Sequence, residues 1–219
     1  MNEEYMTSKK PPLKKESTIP VLGITGGVGS GKSEVMNMLH DEFGGALILA
    51  DLVGHDLMQP GEISYEQILA RFGRQILDEK GNIDRKSLGA VVFADPEALK
   101  DLNQITHPNI HAEIVRRIEA FRQEGQVPFI ALEAALLIEG GYEDILDQLW
   151  YVHVSEENRI KRLMEGRGYT REKSLSIMRQ QLSEEEFFRH ADVIIDNNGS
   201  LDETRESVKD ALYDKGLYI

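Results

Sequence analysis

The 219-residue sequence contains no cysteine, which excludes disulfide bonds, thiolate catalysis and thiolate metal sites. It also lacks any continuous apolar run near the roughly 18 residues that a membrane-spanning helix needs. Residues 1–18 carry lysines and prolines but no apolar signal-peptide core. We therefore expect a soluble, cytoplasmic protein with no membrane partner, in which residues 1–18 form a flexible N-terminal extension.

Positive charge is scarce, since 25 Lys and Arg residues stand against 38 Asp and Glu residues and give a net charge of −13. Such a chain has no overall positive field with which to collect a nucleic-acid backbone, so nucleic-acid partners are not expected. A phosphorylated substrate must then be bound by a local cationic pocket. Zinc is not expected either, because the one helical histidine pair, His107 and His111, straddles Pro108 and has no third ligand.

Short apolar runs alternate with helical patterns along the rest of the chain. Because strands and helices alternate, the sequence predicts an α/β fold with a parallel sheet. The apolar runs, each typical of a buried strand, cover residues 21–25, 46–50, 129–132, 149–154 and 193–195.

The stretch between Gly61 and Arg122 contains no strand-like run. Apolar residues recur there at helical spacing after His107 and Pro108, from Ile110 to Phe121. We therefore predict a helical subdomain in this stretch, with a helix that begins near Pro108.

A glycine-rich loop follows the first predicted strand and opens an amphipathic helix that is predicted from Lys32 to Phe43. The loop fits the phosphate-loop pattern G-x-x-x-x-G-K-[ST] in its required strand-to-helix context, which makes a simple glycine-rich helix cap a poor alternative. Its backbone N–H groups would converge on phosphates, Lys32 would lie near the β- and γ-phosphates, and the Ser33 hydroxyl would ligate Mg²⁺. The predicted ATP-binding residues are Gly26, Gly27, Val28, Gly29, Ser30, Gly31, Lys32, Ser33 and Glu34.

Two classes of phosphate-loop protein are disfavoured by missing motifs. No asparagine is followed by lysine, so the N-K-x-D segment with which GTPases read guanine is absent. The L-S-G-G-Q segment of transporter ATPases is absent as well. The small-molecule kinases remain.

Further motifs make the chain resemble the dephospho-coenzyme A kinases from about Val21 to the final predicted helix. They are T-G-G-x-G-S-G-K-S at 25–33, an A-D…P-G segment at 50–61, D-R-x-x-L at 84–88, L-N-x-x-x-H-P at 102–108, L-L-x-E at 136–139 and A-D-x-x-I-D-N at 191–197.

This resemblance implies a three-layer α/β/α P-loop NTPase fold with a five-stranded parallel sheet. The kinase domain would span residues 19–219, with a helical acceptor-binding subdomain at about 61–125 and a lid at about 159–185. It also implies ATP- and Mg²⁺-dependent phosphorylation of the ribose 3′-hydroxyl of dephospho-CoA, the last step of coenzyme A biosynthesis. A related kinase with another acceptor and a non-catalytic ATP-binding module are the alternatives, and monomer and homo-oligomer both stay open.

Asp51 follows the second predicted strand at its carboxyl end, where ligands bind in open parallel sheets. From the residues alone it fits a helix cap equally well. The resemblance implies that Asp51 is the general base that contacts the acceptor, working with Lys32 and Arg167 in catalysis.

The resemblance adds further residues to the acceptor side. Glu133, at the end of a predicted strand, would contact the acceptor or a metal-bound water, with a helix cap as the alternative. His55 replaces an arginine that is common in the family, so acceptor affinity would depend on pH. The other implied substrate-binding residues are Arg85, His107 and Glu139.

Cations cluster on and after a helix whose predicted apolar face is Ile160, Leu163 and Met164. The resemblance implies a lid in which Arg162 stacks on adenine and Arg167 meets phosphate, while Asn197 would lie near the adenine edge. The alternatives are a solvated helix face, which we assign to Lys161, and a turn of strand-to-helix type at Asn197. The cations are Arg159, Lys161, Arg162, Arg167 and Arg171.

Overall fold

The computed structural model describes residues 19–134, 137–138, 140–142 and 144–217. The predicted N-terminal extension, residues 1–18, therefore lies outside the described part. Within that part the elements are β1 (Val21–Thr25), α1 (Lys32–Asp41), β2 (Ala46–Leu49), α2 (Ala50–Leu57), α3 (Ile63–Phe72), a 3-10 helix (Arg74–Ile76), α4 (Arg85–Ala94), α5 (Pro96–Glu124), β3 (Ile130–Glu133), β4 (Gln148–His153), α6 (Glu156–Arg167), α7 (Arg171–Met178), α8 (Glu184–His190), β5 (Val193–Asp196) and α9 (Leu201–Asp214).

The five described strands form one parallel sheet in the order β2-β3-β1-β4-β5. Strand β1 lies at the centre, with Ile24 in register with Glu133 of β3 and with Trp150 of β4. All five β1 residues are buried, as expected for a strand covered on both faces. The predicted α/β fold with a five-stranded parallel sheet is therefore confirmed.

Most predicted element ends lie within two residues of the observed ones, but two differences change the element in which a predicted residue lies. The second strand ends at Leu49 and α2 begins directly at Ala50, so Asp51 lies in the first turn of a helix instead of following a strand. Helix α5 begins at Pro96 and runs through Pro108, which we predicted to start a helix. A proline inside a helix removes one N–H donor, and a helix of 29 residues retains most of its other hydrogen bonds. None of the described helices combines the length and the apolar composition needed to cross a bilayer.

The chain divides into two compact units. The sheet unit comprises the described residues up to Leu47 and from Phe121 onward, and the helical unit comprises Ile48–Ala120. The helical unit has its own apolar core. Its helices need one because they must bury their apolar faces against each other. Its buried members are Ile68, Phe72, Ile76, Leu88, Val92 and Ala98.

An ion-pair network lies on the surface of the helical unit. Glu113 accepts hydrogen bonds from Arg116 (Nε, 2.7 Å) and from Arg117 (Nε, 2.9 Å), and Arg117 also reaches Asp56 at 3.0 Å. The hydrogen bonds from the two arginines lower the pKa of the Glu113 carboxyl to about 2. This network stays charged at neutral pH and ties α5 to α2 within the unit.

Candidate active site

The phosphate loop connects the buried strand β1 to helix α1 through Gly26–Gly31. Two of its glycines, Gly29 (φ 77°) and Gly31 (φ 82°), have the left-handed backbone that other residues adopt only with strain. Gly31 is also the N-cap of α1, and it brings no capping side chain. The first N–H groups of α1 therefore remain available to an anion at the positive end of the helix dipole.

Close packing restricts the loop as well. A Cβ atom on Gly26 would lie 2.7 Å from Ser30 Oγ and 2.8 Å from Val152 O. A Cβ atom on Gly31 would collide with Asn197 Nδ2. The glycines are thus needed both for the path of the chain and for the side chains packed behind it.

Lys32 begins α1, and its ammonium group donates a hydrogen bond to Gly26 O at 2.7 Å. The charge therefore lies at the Gly26 end of the loop, although its Cα is at the other end. Ser33 and Glu34 follow in the exposed first turn. A single hydroxyl beside the phosphates fits Mg²⁺, which takes few protein ligands when phosphate oxygens are available. No cluster of three His, Asp or Glu residues that could hold a metal occurs in the described part of the chain.

Two side chains support the loop next to Ser30. Asn197 is buried, and its Nδ2 donates to Ser30 O (2.7 Å) while its Oδ1 accepts from Thr204 Oγ1 (2.7 Å). Arg162 donates to Asn197 O at 2.7 Å and to Ser30 O at 3.4 Å. The amide that we predicted to face adenine is therefore bonded at both ends inside the protein. Thr204, which donates the second hydrogen bond to the Asn197 side chain, belongs to no motif from which the sequence could have predicted it.

Arg159 contacts the opposite half of the loop. Its Nε donates to Val28 O at 2.9 Å, and its Nη2 donates to Gln181 Oε1 at 2.8 Å. The same Gln181 oxygen accepts the backbone N–H of Val28 at 3.0 Å. Burial lowers the pKa of the Arg159 guanidinium below its usual value, and an arginine stays charged at neutral pH. Gln181 lies outside every motif, and nothing in the sequence singled it out.

The other predicted lid cations are more exposed. Arg167 is the last residue of α6 and lies at the surface, as does Lys161. Arg171 pairs with Glu157 (Nη1 to Oε2, 2.9 Å), as expected for a solvated face. Met164 was predicted to be part of the apolar face, and this is wrong because its side chain is 45% exposed. It lies about 100° around the helix from Leu163, off the buried stripe.

Asp51, the predicted general base, is an exposed carboxylate on α2 of the helical unit. The N-cap of α2 is Leu49, so Asp51 does not fill the capping role that the sequence left open. Among the described residues, no hydrogen bond or ion pair involves its side chain. A carboxylate in this state can accept a hydrogen bond from a ligand without losing a partner in the protein.

His55 lies one helical turn beyond Asp51, and the structure brings it together with Arg85. Arg85 Nη2 donates to His55 Nδ1 at 3.0 Å. Arginine is always charged, so this Nδ1 must be the acceptor and cannot carry a proton. Arg85 is in turn the first residue of α4, whose N-cap Asp84 accepts from Lys86 N at 2.9 Å. Two residues predicted for acceptor binding are therefore neighbours within the helical unit.

The remaining predicted substrate contacts are dispersed. His107 is exposed on α5, in the helical unit. Glu133 is half-buried at the end of β3, in the sheet unit. Glu139 lies outside the described residues, and so do positions 135 and 136.

Comparisons with known proteins agree with the phosphate loop and its surroundings. Residues 20–203 match the family model described as Dephospho-CoA kinase. The Dephospho-CoA kinase of Carboxydothermus hydrogenoformans is 42% identical over 190 residues, which cover 87% of this chain and 91% of that one. That of Symbiobacterium thermophilum is 41% identical, over 87% of this chain and 79% of its own.

A solved structure of the Dephospho-CoA kinase from Campylobacter jejuni superimposes with a TM-score of 0.67 at 27% identity, over 89% of this chain and 96% of that one. Such a match extends well past the phosphate loop, which unrelated nucleotide-binding proteins share. The family model covers residues 20–203, from β1 to the start of α9. On this evidence the chain belongs to the dephospho-CoA kinase family.

Proposed function

We propose that this chain transfers the γ-phosphoryl group of ATP to the ribose 3′-hydroxyl of dephospho-CoA, which yields coenzyme A and ADP. The observation that carries the proposal is the loop of Gly26–Gly31, with uncapped N–H groups at one end and the Lys32 ammonium held at the other. This is a cradle for a polyphosphate. The family supplies the acceptor, which the loop alone would leave open.

In the proposed reaction, the acceptor hydroxyl oxygen attacks the γ-phosphorus as the bond from that phosphorus to the β–γ bridging oxygen breaks. Asp51 accepts the hydroxyl proton, and ADP leaves with the electron pair of the broken bond. The Asp51 carboxylate is exposed and has no hydrogen bond or ion pair among the described residues, which supports this role. Lys32 and the loop N–H groups stabilise the charge that develops on the phosphate oxygens.

The proposal includes Mg²⁺ beside the β- and γ-phosphates, where Ser33 would contribute its hydroxyl. When bound, the ion would neutralise phosphate charge and help to align the transferred group. For the acceptor we propose contacts from His55 and Arg85, whose hydrogen-bonded pair presents a fixed positive charge. His107, Glu133 and Glu139 remain proposed substrate contacts, as does Arg167 for phosphate.

We propose that the reaction takes place in the cytoplasm, because ATP and dephospho-CoA are highly charged molecules that do not cross a bilayer unaided. This part of the proposal rests on the chemistry of the substrates.

The test is a coupled ADP-release assay with ATP, Mg²⁺ and either dephospho-CoA or a panel of nucleosides and nucleoside monophosphates. We expect ADP release that depends on dephospho-CoA and on Mg²⁺, with little response to the other acceptors. Activity with a nucleoside and none with dephospho-CoA would keep a kinase and overturn the proposed acceptor. Nucleotide binding without any turnover would favour a non-catalytic module.

A further inference from the structure

A second cation is held against the phosphate loop at the end where Lys32 lies. The Lys32 ammonium, which in phosphate loops reaches the β- and γ-phosphates, contacts Gly26 O at 2.7 Å. The neighbouring residues Gly27 and Val28 are covered by Arg159, whose Nε donates to Val28 O at 2.9 Å. Arg162 lies instead at Ser30, towards the start of α1. Two of the three arginines of α6 therefore contact different parts of the loop, and Arg159 faces the part nearest the Lys32 charge.

The contact between Arg159 and the loop is possible because Gly27 has no side chain. A Cβ atom on Gly27 would collide with the Arg159 guanidinium. The planar cation thus lies directly on the backbone of the loop, at a distance that no residue other than glycine would permit. Its two hydrogen bonds to protein oxygens, at Val28 and Gln181, use two of the five N–H groups of a guanidinium.

Within the described part of the chain, no ion pair joins the Arg159 guanidinium to a carboxylate, although burial already lowers the pKa of this group. Glu184 and Glu156 act on the guanidinium through space only, and Glu184 Oε1 contacts His153 Nε2 at 2.7 Å. A half-buried cation without a carboxylate partner is costly to keep in a fold, which is a feature of functional sites.

Gln181 fixes the direction of this cation. Its Oε1 accepts from Arg159 Nη2 at 2.8 Å and from Val28 N at 3.0 Å, so one amide oxygen joins the guanidinium to the loop backbone. Gln181 follows α7 in the chain, 22 residues beyond Arg159. The neutral amide orients the guanidinium and leaves its charge uncancelled, which a glutamate at this position would not do.

We propose that Arg159 is a further catalytic residue, whose guanidinium contacts the terminal phosphoryl group of ATP, and that Gln181 is its positioning residue. This inference rests on the proposed kinase reaction and deepens it. Arg159 keeps its protons throughout and stabilises the negative charge on the oxygens of the transferred group, while the bonds that form and break are those already given.

The first test compares ATP with ADP, which lacks the terminal phosphoryl group. We would measure both dissociation constants by calorimetry for wild type, Arg159→Gln and Arg159→Lys, with Lys161→Gln as the matched control from the exposed face of the same helix. Arg159→Gln should lower ATP affinity about tenfold and leave ADP affinity within about twofold, while kcat falls about 100-fold or more. For Arg159→Lys, the ATP affinity and kcat should lie between those of wild type and Arg159→Gln, because lysine keeps the positive charge but lacks the planar set of N–H donors. The control should match wild type.

Retained ADP affinity also shows that the variant loop is folded. The assignment would be overturned if Arg159→Gln left the ratio of ATP affinity to ADP affinity unchanged. This holds whether the two affinities fall together or both stay at the wild-type value, and Arg159 would then only support the loop. This binding measurement needs no acceptor. If wild type failed to phosphorylate dephospho-CoA while the affinity ratio still fell, the acceptor would be wrong and the Arg159 contact would stand.

The second test separates positioning from simple packing at Gln181. Gln181→Leu keeps the size of the side chain and removes the shared oxygen, so kcat should fall about tenfold with little change in the KM for dephospho-CoA. In the double variant with Arg159→Gln, the losses should not add, because both substitutions disable the same contact. Additive losses would show that Gln181 acts independently of Arg159 and would overturn its positioning role.

Discussion

The phosphate loop in the sheet unit differs from the helical-unit residues that we propose for acceptor binding in how its position is fixed. Around the loop, Asn197, Arg162 and Arg159 bond to backbone carbonyls at 2.7–2.9 Å, and Asn197 is buried. In the helical unit, Asp51 and His107 are exposed. The loop is fixed by hydrogen bonds from side chains to its backbone and to the backbone beside it, whereas the residues proposed for the acceptor present their side chains to solvent.

This difference follows from what each side must recognise. A polyphosphate is bound largely by backbone N–H groups, so the protein must fix the path of the backbone, which requires glycines and buried hydrogen bonds. An acceptor hydroxyl must be met by a side chain that is available to take a proton. Substitutions in the two units should therefore affect different measured quantities.

The largest effect should come from Lys32→Ala, which removes the charge held at the Gly26 end of the loop. We expect kcat to fall about 1,000-fold, because this charge stabilises the transferred phosphoryl group. The thermal unfolding midpoint should stay close to that of wild type, since the Lys32 ammonium is not part of the apolar core. Near-normal kcat in this variant would refute the assignment of the loop.

A second substitution tests whether the loop depends on the buried amide behind it. Asn197→Ala leaves Ser30 O and Thr204 Oγ1 without their shared partner, which should lower the free energy of unfolding by about 2 kcal/mol. The KM for ATP should rise as the loop loosens. Urea unfolding and initial rates would measure the two effects. If the KM for dephospho-CoA rose and that for ATP did not, the amide would belong to the acceptor side instead.

A smaller effect is expected from the hydrogen bond between His55 and Arg85. His55→Leu removes the Nδ1 acceptor that Arg85 Nη2 contacts at 3.0 Å, so the guanidinium is no longer held in one direction. The KM for dephospho-CoA should therefore rise severalfold, whereas the KM for ATP should stay close to that of wild type. In His55→Gln, whose amide oxygen can accept the same hydrogen bond, most of this effect should disappear. An unchanged KM for dephospho-CoA in His55→Leu would remove His55 from acceptor binding.

The smallest effect concerns stability alone. The folded-state pKa of Glu113 is lowered to about 2 by Arg116 and Arg117, so its stabilising contribution is present above the unfolded pKa near 4.5 and is lost as pH falls through the folded value. Glu113→Gln should cost about 1 kcal/mol at pH 7, after allowance for the exposure of Arg116. The difference from wild type should shrink as the pH falls from about 4.5 towards 2. A constant difference over that range would contradict the ion-pair account.

The strand-to-helix phosphate loop could be predicted because its function depends on residues adjacent in sequence, from Gly26 to Ser33. The five strands could also be predicted from adjacent residues, because a strand that is covered on both faces has a continuous apolar sequence. Gln181 was missed because its partners are distant in the chain, and Thr204 was missed because it belongs to no motif, although its partner Asn197 is only 7 residues away. The bond from Val28 N to Gln181 spans 153 residues, and no local pattern encodes it.

The wrong boundaries have local causes. Pro108 resembled a helix start, but α5 continues through it because losing one N–H donor does not end a helix of 29 residues. Asp51 was assigned to the end of a strand, since the sequence has no turn residues to show that α2 starts at once. Directions of side chains around a helix were harder still. Arg159 and Arg162 face the loop while Lys161, between them, is exposed.

The most direct test of the proposed reaction is single-turnover transfer from γ-labelled ATP to dephospho-CoA, with the position of the new phosphate determined by phosphorus–proton correlation NMR. Wild type should place the label on the ribose 3′-oxygen, and Asp51→Asn should be slower by about 100-fold or more with ATP affinity unchanged. A label on any other oxygen, or an Asp51→Asn variant as fast as wild type, would contradict the account.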